Sequence, residues 1–179
     1  MKKLFVLFLL FVASCSAPIT KLTSDDILLI PVSALPDGWR QVSITHESEF
    51  GTPNVFQVQY STDSFQNFMY WFIHYERIET AETAFDRYRG STFTTGIGNQ
   101  IQWEDRADIT LQAVDQYEVG CSNVMRNDQE IRICAAQMRY NKCLIKISSH
   151  MDDVFMSVPD FYGLLEYIDS NISNIDGCG

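Results

Sequence analysis

Apolar residues recur along this chain with two different periods. Strand-like runs lie near Trp39–Ser48, Asn54–Ser61 and Phe65–Arg77, separated by the turn signals Gly51-Thr52-Pro53 and Thr62-Asp63-Ser64. The period then changes. Ala81, Ala84, Phe85 and Tyr88 recur at helical spacing, with Thr80 placed to cap the start and Gly90 to mark the end, which predicts a helix over 80–90. Three more strands are expected near 110–122, 129–140 and 142–149. A last helix follows, with Pro159 at its first turn and Phe161, Leu164, Leu165 and Ile168 as its apolar stripe. These elements predict an α+β fold. A mostly antiparallel sheet of about six strands packs with two helices as an α/β sandwich.

The hairpins fix their own registers. A turn at Asn127-Asp128 makes partner numbers add to 255, and a turn at Asn141-Lys142 makes them add to 283. The first register sets Val119 opposite Ala136 and Tyr117 opposite Met138. The second sets Met138 opposite Ile145 and Ala136 opposite Ile147, so both registers gather apolar residues on one face. The strand 129–140 is apolar on both faces at one end, which predicts an interior place in the sheet. The polar face of the same strands carries Glu118, Gln137 and Lys146 in one row and Gln116 and Arg139 in the next, and is expected to be solvated.

At the N-terminus Lys2 and Lys3 precede an apolar run of ten residues, Leu4–Ala13. At 1.5 Å per residue, ten residues cannot span a hydrocarbon core about 30 Å thick. The run is therefore expected to be part of a signal peptide, residues 1–14, and not a transmembrane anchor. It ends in Val12-Ala13-Ser14-Cys15, which resembles the lipobox of bacterial lipoproteins. The resemblance implies that the Cys15 thiol carries a diacylglycerol, that cleavage falls before Cys15, and that the new amine is acylated, with palmitate a typical chain. Ser16 follows Cys15 where an Asp would retain a lipoprotein at the inner membrane, so the resemblance points to the outer membrane in a host that has one. Residues 15–26 read as a polar tether and 27–179 as a single globular domain.

Lys and Arg number 13 against 23 Asp and Glu, giving a net charge of −10. Cleavage would remove two lysines and no acid, bringing the charge to −12. Such a surface repels phosphate backbones, so nucleic acid is not expected as a partner. With Cys15 assigned to lipid, Cys121, Cys134, Cys143 and Cys178 imply two disulfides in an exported chain. The register sets Cys121 directly opposite Cys134, and elimination leaves Cys143 for Cys178.

Chemistry-bearing residues are sparse. His46, His74 and His150 are scattered and match no metal-binding spacing, so neither a metal nor a cofactor is expected. Gly96-Ile97-Gly98 lacks the Lys and third Gly of a phosphate loop. Glu104-Asp105 and Asp152-Asp153 read as solvated turns before they read as acid–base pairs. The stretch 65–75 holds six aromatics, expected to be a strand buried on both faces, with a stacking platform on one face as the alternative. The order of elements loosely resembles PsbP/Mog1-like and sensor-lipoprotein domains, which implies the sandwich fold and no activity. The expectation is a cell-envelope lipoprotein, a non-enzymatic binding or accessory module for a protein or small ligand. The alternative is an envelope hydrolase or metal-dependent enzyme, with His46 or His74 in a pocket.

Overall fold

A computed structural model describes residues 30–47, 54–64, 66–93, 103–105, 109–126 and 128–179. The expected signal peptide and tether, Cys15, the expected turn at Gly51–Pro53, Gly96–Gly98 and Asn127 lie outside the described residues. The elements in chain order are β1 (Arg40–Glu47), β2 (Asn54–Ser61), β3 (Asn67–His74), α1 (Ile78–Thr92), β4 (Glu104–Asp105), β5 (Gln116–Arg126), β6 (Gln129–Tyr140), β7 (Cys143–Met151) and α2 (Val158–Asn171). Single 3-10 turns, Val32–Ala34 and Ile172–Asn174, precede β1 and follow α2. Six long strands and the two-residue β4 form one antiparallel sheet in the order β1-β2-β3-β7-β6-β5-β4. The fold is α+β, as the two periods in the sequence predict. Among the described residues no helix is long and apolar enough to cross a membrane.

Both hairpin registers match the turn arithmetic. Val119 faces Ala136 and Tyr117 faces Met138, while Met138 faces Ile145 and Ala136 faces Ile147. Asp128 and Asn141 hold φ of 62° and 50°, a left-handed conformation that Asn and Asp tolerate better than most residues. β6 lies inside the sheet, between β7 and β5.

The helices lie on opposite faces. α2 buries Phe161, Leu164, Leu165 and Ile168 against Phe68, Tyr70, Phe72, Met138, Ile145 and Ile147. Ser157 caps it, accepting from the Asp160 N–H while the Asp160 carboxylate accepts from the Ser157 N–H. α1 packs Ala81, Ala84 and Phe85 on Val55, Ile73, Tyr75 and Leu144 from the other side. It starts at Ile78, with Arg77 at the cap position and no side-chain cap bond, so Thr80 is not the cap. It also continues through Gly90 to Thr92. Packing of the Ala81, Ala84 and Phe85 stripe decides the extent of this helix more than its end signals do.

The expected strand at 110–122 begins six residues later, at Gln116. The cause is Asp169 on α2. Its carboxylate accepts the N–H groups of Gln112 at 2.6 Å and Ala113 at 3.1 Å, drawing the segment onto the helix and out of the sheet.

Candidate functional site

The row expected to be solvated is covered. Gln137 is fully buried beneath α1, donating to the Phe85 carbonyl and accepting from the Thr92 hydroxyl at 2.9 Å. Arg139 is also buried. It donates to Gln116 at 2.8 Å, to Asp115 at 3.1 Å and to the Asn141 carbonyl, and lies 3.7 Å from Glu82. A helix with an apolar stripe settles on this face, and each polar group beneath it must find a protein partner. Gln116 stays exposed, while Glu118, paired with Arg89 at 2.8 Å, and Lys146 are half-buried.

The aromatic stretch divides by face. Phe68, Tyr70 and Phe72 are core under α2. Burial pushes the Tyr70 phenol well above its ordinary range, with Tyr60 and Tyr140 adding to the effect. Met69 and Trp71 point to the α1 face and are only partly buried. Trp71 donates its indole N–H to Gln57 at 3.1 Å, and the Lys146 ammonium lies 5.5 Å from its ring centroid. The same ammonium lies 4.5 Å from the Tyr88 ring, an arrangement favoured by the ring quadrupoles.

The three histidines end up in three settings. His46 is exposed on β1 against Phe56, with ring centroids 4.6 Å apart. His74 ends β3, and its Nε2 is buried against Gly177 with no hydrogen-bond partner among the described residues. Burial lowers its pKa below 6.5, Lys142 adds to this, and Asp176 opposes it. His150 lines a cavity of about 530 Å3 at the end of the sheet where β3 begins, β6 begins and β7 ends. Neither His46 nor His74 borders it.

That cavity is the candidate site. Arg132, Glu130, Asp152, Gln66, Asn67 and Gln129 share its wall with His150. Arg132 is tied to Glu104 at 3.1 Å, and its Nε is buried without a partner among the described residues. Asp152 is structural first. Its Oδ1 accepts the N–H groups of Val154 at 2.9 Å, of Phe155 and of Met156, which shapes the turn into α2. Gln59 donates to Asn67 at 3.1 Å from the neighbouring strand. Among the described residues no group of three His, Cys, Asp or Glu side chains could hold a metal ion.

The four cysteines stand as two pairs. Cys121 and Cys134 are joined across the β5–β6 hairpin with Cα atoms 4.1 Å apart. Cys143 and Cys178 are joined with Cα atoms 5.2 Å apart, pinning the tail to the start of β7. Sequence reasoning missed Asp169 and the buried side of Arg139. An acid beside Ile168 on the apolar stripe of the last helix was the one available signal for the first. No protein-family model, curated protein or solved structure matches the chain.

Proposed function

We propose that the protein is a lipid-anchored component of a bacterial cell envelope whose folded domain binds a ligand and performs no reaction. The disulfides carry the first half of this reading. Paired cysteines persist in oxidising compartments outside the cytosol, and four of the five cysteines are in the two bridges. Cys15 is left over, following the short apolar run and the two small residues that lipid attachment would need. Two or more acyl chains anchor a protein stably where a single chain does not. The cavity beside His150 supports the second half, since its wall mixes amides, one cation and two acids, suited to holding a polar molecule. The test is fractionation. Cys15→Ala should release the protein from the membrane pellet, and mass spectrometry of the wild type should find an acylated N-terminal cysteine. A wild type already soluble, with another N-terminus, would remove the anchoring reading.

One observation favours an envelope hydrolase as a second reading: His150, Glu130 and Asp152 border the same cavity. A turnover defect in His150→Gln, with the fold intact by circular dichroism, would move the assignment from binding to catalysis.

A further inference from the structure

We infer that the His150 cavity, continued along β3 to Trp71, binds a neutral oligosaccharide. The cavity wall carries both signs of charge. An anion would meet Glu130 and Asp152, and a cation would meet Arg132. A polyhydroxylated molecule suits all of them, because each hydroxyl both donates and accepts. Gln66, Asn67 and Gln129 add amides that do the same, and the half-buried Ile131 offers apolar surface to the C–H edges of a sugar ring.

The strip beyond the cavity extends this chemistry. Asn67, Met69 and Trp71 alternate onto the α1 face of β3, and four residues of strand cover about 13 Å. Gln59 lies opposite Met69, and Gln57 lies opposite Trp71. All five side chains are only partly buried. Gln57 accepts the Trp71 indole N–H and Gln59 donates to Asn67, so two amides lie fixed beside the indole and the cavity mouth. Lys146, between Trp71 and Tyr88, adds a donor at the far end. A length of about 13 Å with a polar pocket at one end and an indole at the other fits several linked sugar units better than one.

The assignment rests on the binding reading above and names its ligand class. The test uses the full chain in detergent micelles against an array of neutral β-linked gluco-, N-acetylgluco-, manno- and galacto-tetraoses. Tetragalacturonate and spermidine serve as the charged arms. At least one neutral tetrasaccharide should bind with Kd below about 1 mM. Trp71→Ala and Asn67→Ala should each weaken it about tenfold, roughly 1.4 kcal/mol. Trp71→Phe, which keeps a ring and guards against misfolding, should weaken it only a few-fold. The inference is overturned if no neutral sugar binds, if only tetragalacturonate or spermidine binds, or if binding is unchanged in Asn67→Ala and Trp71→Phe binds no better than Trp71→Ala. Cys15→Ala should leave sugar affinity intact. Loss of sugar binding with normal membrane fractionation removes the glycan assignment alone, and the converse result removes the anchor alone.

Discussion

The two faces of the sheet are covered by helices of similar length and are built on different principles. Beneath α2 the sheet offers Phe68, Phe72, Met138, Ile145 and Ile147, and the helix answers with Phe161, Leu164, Leu165 and Ile168. This layer is mostly apolar; the Tyr60, Tyr70 and Tyr140 hydroxyls are buried in it, and at its margin Asp169 captures the Gln112 and Ala113 N–H groups. Beneath α1 the apolar cluster is small, and Gln137 and Arg139 are buried beside it with their hydrogen bonds satisfied. The first face holds the fold by area removed from water. The second holds it partly by a polar network, which is costly to break and adds little net stability while intact. A sheet that spends one face on stability can leave part of the other open, and Trp71, Met69, Gln57 and Gln59 occupy that open part.

The largest test of this contrast is Phe161→Ala, which removes a large, fully buried side chain that α2 contributes to the layer. It should cost about 3–5 kcal/mol in chemical denaturation. Double replacement of Cys143 and Cys178 by Ser should cost about 4 kcal/mol on the chain-entropy model, given the separation of 35 residues. Thermal melts with and without reductant would read it, and a wild type indifferent to reductant would argue against a structural role for the bridge. On the α1 face, Gln137→Leu removes one partner each from Phe85 and Thr92 and should cost about 1–2 kcal/mol. A loss matching that of Phe161→Ala would mean that the two faces contribute alike, and the contrast would fail.

The smallest effect concerns pH, where the α2 face meets the tail. The folded-state pKa of His74 lies below 6.5, first because of burial and then because of Lys142. The unfolded chain therefore binds the proton more readily. Stability from this group is present in full above about pH 6.5 and declines as the pH falls toward the depressed folded value. His74→Gln should flatten that part of the stability–pH curve, measured by denaturation midpoints between about pH 5 and 8. An unchanged slope would assign the acid sensitivity to another group.

Much of the fold is legible in the residues. Asn141-Lys142 and the turn ending at Asp128 count out two registers, and the alternation of Val119, Ala136, Met138 and Ile145 agrees with both. The Cys121–Cys134 pairing follows from the same count. The candidate site is far less legible. Its walls come from the starts of β3 and β6 and the end of β7, and no short-range pattern records that Gln66, Gln129 and His150 meet. β4 was also missed, since two residues carry no periodicity.

By itself the sequence determined the α+β class, the local hairpins, the α2 stripe and an N-terminal segment resembling a lipoprotein signal. Each of these depends on neighbours within a turn or a hairpin, where periodicity and turn chemistry act directly. The tertiary structure alone decided that β3 pairs with β7, that the helices take opposite faces, and that Gln137 and Arg139 lie under one of them. Those outcomes require distant segments to meet. Gln137 looks the same on a solvated strand as on a covered one, and only the arrival of α1, with the Phe85 carbonyl and the Thr92 hydroxyl in reach, lets it be buried at tolerable cost.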